Sequence, residues 1–77
     1  MKLTVRVFGR VSEEIGEAEF SIENTGNVSS LRDGIIALYP AIKDLKFAIA
    51  INHQLATDSD AVPEGAEVAL LPPYSGG

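Results

Sequence analysis

The chain has 77 residues, 45% of them apolar and 22% charged, with a net charge of −5 and no cysteine. That size holds one core, burying about 60% of the surface an unfolded chain exposes, and leaves no room for an internal cleft of enzyme dimensions. The charge argues against nucleic acid, the absent cysteine removes disulfides, thiolate nucleophiles and zinc–thiolate sites, and the longest apolar stretches are far short of a membrane span. Met1 leads straight into a strand-like pattern with no signal or transit segment, so the cytosol is the expected compartment.

Lys2 to Phe8 alternates with Leu3, Val5 and Val7 on one face, the period-two pattern of a half-buried first strand. Phe8 falls on the opposite face with Thr4 and Arg6, where it either turns inward at the strand end or joins a contact surface. Val11 and Ile15 stand at helical spacing before Gly16, enough for one short helical turn. From Glu17 to Ile22 the alternation resumes through Ala18, Phe20 and Ile22, a second strand antiparallel to the first, and Asn24-Thr25-Gly26-Asn27 closes it as a turn. Val28, Leu31, Ile35 and Leu38 then form the apolar stripe of the main helix, with Asn27 or Ser29 as its cap and Pro40 ending it near Tyr39. Gly34 inside that helix costs about 1 kcal/mol relative to Ala, and either permits close packing on the sheet or is simply tolerated.

Phe47 to Ile51 reads as a buried strand with large residues on one face and alanines on the other, followed by the turn Asn52-His53-Gln54. His53, the single histidine, has no metal set nearby and reads as a solvated side chain. Leu55-Ala56 starts a short edge strand, Pro63-Glu64-Gly65 makes another turn, and Glu67 to Leu71 forms the last strand. Val68 and Leu70 are expected toward the core, with Ala69 and Leu71 on the other side. The order strand, strand, helix, strand, short strand, strand is α+β. One main helix packed on a mixed sheet of four to five strands, with the first and last strands parallel at its centre, is a β-grasp topology over residues 1–71, with 72–77 as a flexible tail.

That tail, Leu71-Pro72-Pro73-Tyr74-Ser75-Gly76-Gly77, carries the most informative chemistry. Pro72 and Pro73 each fix φ and lack an N–H, which ends the strand ladder and pushes the chain off as a stiff stalk. Gly76 and Gly77 leave a thin, free backbone able to pass a channel too narrow for side chains. At roughly 3.3 Å per residue the six residues from Pro72 reach on the order of 20 Å, enough to enter a partner's active site. The terminal carboxylate of Gly77 is therefore the expected reactive group. From Phe47 onward there is no Lys or Arg, only Asp58, Asp60, Glu64 and Glu67, an acidic half suited either to solubility or to basic partner surfaces.

Phe8-Gly9-Arg10-Val11 leading to Gly16, the strand end Ala50-Ile51-Asn52, the run from Glu64 to Pro73 and the final Ser75-Gly76-Gly77 together resemble the small sulfur-carrier subunits of molybdopterin synthase, a ubiquitin-like family. The likeness spans essentially the whole chain and is most specific in the GxEVAxxPPxSGG ending from Gly65 to Gly77. It implies that Gly77 is adenylated by an ATP-dependent, ubiquitin-activating-like adenylyltransferase and receives sulfur as a thiocarboxylate from a sulfurtransferase or cysteine desulfurase. The sulfur is then delivered to a pterin precursor on the large synthase subunit. By the same resemblance Leu71, Ala69 and Phe8 grip that subunit, while Pro72, Pro73, Tyr74, Ser75 and Gly76 thread toward its active site. No cofactor is permanently bound, ATP being used by the partner, and neither nucleic acid nor membrane is an expected partner. Family members often carry a basic residue where this chain has Ser12, the nearest being Arg10, so a salt bridge to the activating enzyme does not carry over.

Three other functions stay open on the same tail: a sulfur carrier for thiamin or tRNA thiolation, a ubiquitin-like modifier joined to lysines by an isopeptide bond, and a plain interaction module. Independent catalysis is disfavoured, since the sequence carries no triad, carboxylate dyad, metal cluster or phosphate loop.

Overall fold

The computed structural model describes residues 2–72. Five strands, β1 (Lys2–Val7), β2 (Glu19–Glu23), β3 (Ala48–Ile51), β4 (Gln54–Leu55) and β5 (Glu67–Leu71), form one mixed sheet in the order β2-β1-β5-β3-β4. Helices α1 (Gly9–Ile15) and α2 (Val28–Leu38) and a 3₁₀ turn at Pro40–Ile42 lie in the connections. β1 and β5 are the parallel pair, with Val5 opposite Val68; β2 and β3 flank them antiparallel. A parallel pair needs a long crossover, which the helical segment provides, and the result is the β-grasp order expected from the sequence.

The core lies on one side of the sheet. Leu3, Val5 and Val7 of β1, Ile49 and Ile51 of β3, and Val68 and Leu70 of β5 meet Val28, Leu31 and Ile35 of α2, with Val11, Ile42, Phe47, Val62 and Ala66 closing the margins. Each large side chain taken out of water contributes about 1.5–3 kcal/mol. No polar or charged residue is buried among the described residues.

The cap of α2 is Asn27, whose Oδ1 accepts the Ser30 N–H at 2.8 Å. The two preceding helical N–H groups are used by the loop that folds over the helix start: Val28 donates to the Asp60 carbonyl at 2.9 Å and Ser29 to the Asp58 carbonyl at 3.0 Å. Arg32 ties the same region together. Its Nε lies 3.4 Å from Asp58 Oδ1, its Nη1 donates to the Phe47 carbonyl at 3.0 Å, and the guanidinium sits 4.9 Å from the Phe47 ring centroid.

Two local expectations change, and one open alternative is resolved. The second strand starts at Glu19 because Gly16, at φ 83°, caps α1 in the left-handed conformation and the chain uses Glu17 and Ala18 to return to the sheet. Leu38 is 51% exposed, outside the core; at about 100° per residue it falls roughly 50° from the centre of the stripe formed by Val28, Leu31 and Ile35. Ile36 and Tyr39, on the other side of the stripe, are partly buried and pack against the core. Gly34 is a tolerated glycine: a Cβ on it would meet Ile22 Cδ1 at 3.6 Å, an ordinary contact, so no close approach requires it.

Candidate functional site

The other side of the sheet is bare, and its residues fall into rows set by strand register. Arg6 stands opposite Ala69, Ala69 opposite Ala50, and Ala50 opposite Leu55, one line across four strands. The next row toward the end of β5 holds Leu71 opposite Ala48. Phe8, whose N–H donates to the Leu70 carbonyl at 3.1 Å, stands at the β1 side of this row. On the opposite side of the central line Thr4 faces Glu67. The face therefore grades from polar at one end to apolar at the end where β5 stops.

Side-chain size gives this face its relief. Ala50 and Ala69 make a low floor, and Phe8, Leu55 and Leu71 stand around it, with Arg6, His53 and Glu67 on the rim of a depression of about 330 Å³. Phe8 is 45% and Leu55 67% exposed, two of the three large apolar side chains that stand out among the described residues. Their exposure is continuous with the alanine floor, so they form one apolar patch and are not scattered apolar surface. The depression has the size of a protruding apolar side chain, and its rim is charged.

Hydrogen bonds hold the rim rigid. The hairpin from β3 to β4 turns through Asn52 (φ 50°) and His53 (φ 71°), two left-handed residues in a two-residue loop. Asn52 locks that turn onto β5: its N–H donates to the Glu67 carbonyl at 2.8 Å and its Oδ1 accepts the Glu67 N–H at 2.9 Å. His53 Nε2 then lies 3.4 Å from Glu67 Oε2, with both side chains mostly solvated, so the pair adds little stability. Arg6 Nε is 3.9 Å from Glu19 Oε2, another exposed and weak pair.

Three of the residues expected at an interface, Phe8, Ala69 and Leu71, are thus brought together on one face. Of the two placements open for Phe8, the inward turn is not adopted: its side chain is 45% exposed on the outer face. Pro72, the first residue of the expected tail, leaves β5 at the apolar end of the patch; Pro73, Tyr74, Ser75, Gly76 and Gly77 lie outside the described residues. Leu55, Ala50, Arg6, His53 and Glu67 complete the face; Arg6 and Ala50 were expected on the outward sides of their strands, but none of the five was assigned to an interface from sequence. The alanine alternation of Phe47 to Ile51 was the available signal, but only strand order shows that it lines up with Ala69. Among the described residues, no group of three or more His, Cys, Asp or Glu is placed to hold a metal ion, and no helix is long and apolar enough to cross a membrane.

The crossover, the single covered side and the strand that ends at a bare apolar patch define a ubiquitin-like β-grasp protein. The chain belongs to the ThiS family, whose profile matches residues 5–77. It is similar over its full length to the molybdopterin synthase sulfur carrier subunits of Chlamydomonas reinhardtii, at 32% identity with 100% of each chain covered, and of Mycobacterium tuberculosis, at 32% identity with 100% of this chain and 99% of the relative covered. Among solved structures, one chain of the protein–protein complex of subunits 1 and 2 of the molybdopterin-converting factor from Helicobacter pylori matches with a TM-score of 0.70 at 31% identity, covering 100% of this chain and 100% of that one. Small archaeal modifier protein 1 from Haloferax volcanii shares the fold, with a TM-score of 0.80 at 21% identity over 95% of this chain and 98% of that one.

Proposed function

We propose that this chain is the sulfur carrier of a molybdopterin synthase and that Gly77 is its loading point. The observation that carries the reading is the apolar patch of Phe8, Leu55, Ala69 and Leu71 lying where β5 runs into a Pro-Pro-Tyr-Ser-Gly-Gly ending. Docking by the patch and delivery by the tail are then parts of one act. Full-length similarity to molybdopterin synthase sulfur carriers supports the pathway, and the paired subunits of the Helicobacter pylori factor support a large-subunit partner.

The chemistry runs through the terminal carboxyl group. A carboxylate is a poor electrophile, so its oxygen first attacks the α-phosphorus of ATP on an adenylyltransferase, releasing pyrophosphate and leaving an acyl-adenylate. The terminal sulfur of the donor's persulfide attacks that carbonyl and AMP departs, leaving an acyl disulfide; a second thiol of the donor then cleaves the S–S bond, so that Gly77 holds a thiocarboxylate and the donor is left with a disulfide. Its sulfur, ionised at neutral pH, attacks a carbon of the pterin precursor and displaces the oxygen substituent there; hydrolysis of the acyl–sulfur bond then leaves sulfur on the acceptor and returns the carboxylate. This chain contributes proximity through its docked face and extended tail, while positioning and charge stabilisation come from the partner.

Intact-protein mass spectrometry of the chain from its native cell tests the proposal. The expected result is replacement of one oxygen by sulfur at Gly77, with the large subunit co-purifying. A covalent, thiol-resistant conjugate to lysine, with no thiocarboxylate formed by active adenylating and sulfur-donating enzymes, would transfer the weight to a protein modifier.

A further inference from the structure

The chain enters α1 and leaves β5 at the same point. β1 and β5 run parallel with Val7 opposite Leu70, and the Phe8 N–H donates to the Leu70 carbonyl at 3.1 Å. The residues that follow this last rung, Gly9 and Pro72, therefore meet. Gly9 has φ +62°, a conformation that strains an L side chain. A Cβ built on it would also lie 3.0 Å from Pro72 Cγ, 3.4 Å from Cδ and 3.5 Å from Cβ. Those atoms belong to a ring closed onto the backbone and cannot swing aside as the end of a long side chain does; room comes only from moving Pro72 itself. Crowding singles this position out, because Gly16, Gly26 and Gly65 also have positive φ yet nothing lies within 4 Å of a Cβ built on any of them.

We infer that Gly9 is a positioning residue for the tail, its bare α-carbon being the seat on which Pro72 rests and which sets the direction of departure toward Gly77. The contact stands by itself, and its consequence for sulfur delivery rests on the carrier function proposed above. Five residues follow Pro72, on the order of 16 Å when extended, so a tilt of about 10° at the seat moves an extended tip by roughly 3 Å. A misplacement of about 1 Å at a reacting centre can cost on the order of 100-fold in rate, and binding energy used to correct it is withdrawn from the transition state. Glycine is thus demanded at position 9 twice, by φ and by the neighbour it leaves room for.

The seat is tested first in the free chain, as a nuclear Overhauser effect between the Gly9 α-protons and the Pro72 γ-protons. Its presence is expected, and its absence overturns the seat whatever the tail carries and whether or not any variant folds. The second test is a double-mutant cycle on single-turnover sulfur delivery, with Gly77 prepared as the thiocarboxylate and mixed with the large synthase subunit and pterin precursor. Pro72→Ala deletes Cγ and Cδ, the two atoms nearest the built Cβ. Gly9→Ala is expected to lower the saturated rate about tenfold when Pro72 is intact but less than about twofold in the Pro72→Ala background, with the half-saturating concentration of large subunit little changed because the patch is intact. Equal losses in both backgrounds would assign the effect to φ strain alone and overturn the positioning role. No transfer from the unaltered chain, with the Overhauser effect present, would instead refute the carrier function and leave the seat standing.

Discussion

Strand β5 presents apolar residues on both of its faces, and the two faces use them differently. Val68 and Leu70 lie in the core at 0% exposure, whereas Ala69 and Leu71 remain partly exposed on the bare side. Inside, branched side chains fill the space between sheet and helix and their burial drives folding. Outside, alanines form a floor and only Phe8, Leu55 and Leu71 rise from it, so the apolar surface stays available for a partner. Apolar residues alone do not separate these roles. Whether a helix covers the face does.

The largest expected effect is on the covered side: Leu70→Ala should cost about 2–5 kcal/mol of stability through lost burial and the cavity left behind, read as a lower midpoint in urea. Leu71→Glu, one residue on, should change stability by less than about 0.5 kcal/mol while weakening binding to the large subunit by about 2 kcal/mol, measured by calorimetric titration. Comparable destabilisation by both substitutions would erase the distinction between the faces. Asn27→Ala removes the cap of the covering helix and should cost about 1 kcal/mol of stability with partner affinity unchanged, a check that the helix serves the inner face alone. Gly34→Ala should act in the opposite direction, raising the melting temperature by an amount equivalent to at most about 1 kcal/mol, since its new methyl meets only Ile22 at ordinary distance.

The smallest effect lies at the margin of the covered side and depends on pH. The Tyr39 hydroxyl donates to Glu17 Oε2 at 2.8 Å; that hydrogen bond first, then desolvation and the repulsion of the Glu17 carboxylate, raise its pKa above the usual phenol value. A raised folded-state pKa makes the stabilisation complete below the unfolded value of about 10 and removes it as pH climbs through the folded one. Tyr39→Phe should therefore flatten the alkaline limb of the stability profile above pH of about 10, by thermal melts across that range, and leave neutral-pH affinity for the partner unchanged.

Much of this architecture was legible in local pattern. Alternation in β1 and β5 predicted which side chains face inward, the spacing of Val28, Leu31 and Ile35 predicted the helix, and Asn27 was one of two candidate caps. Leu38 was misplaced because spacing specifies an angular stripe without its width, and the neighbouring elements decide how much of that stripe is covered. Gly9 carried no signal as a seat, because its partner Pro72 lies at the far end of the sequence and the two meet only through the parallel pairing of β1 with β5.

The sequence by itself determined the strands, the main helix, the inward-facing residues of β1 and β5 and the Pro-Pro-Tyr-Ser-Gly-Gly ending, since all of these follow from spacing and backbone chemistry within a few residues. Only the tertiary structure decided that Ala50 stands beside Ala69, that Leu55 and Phe8 flank the same floor, and that the last strand ends against Gly9. Those relations join residues tens of positions apart, and strand order, which local periodicity does not encode, brings them together.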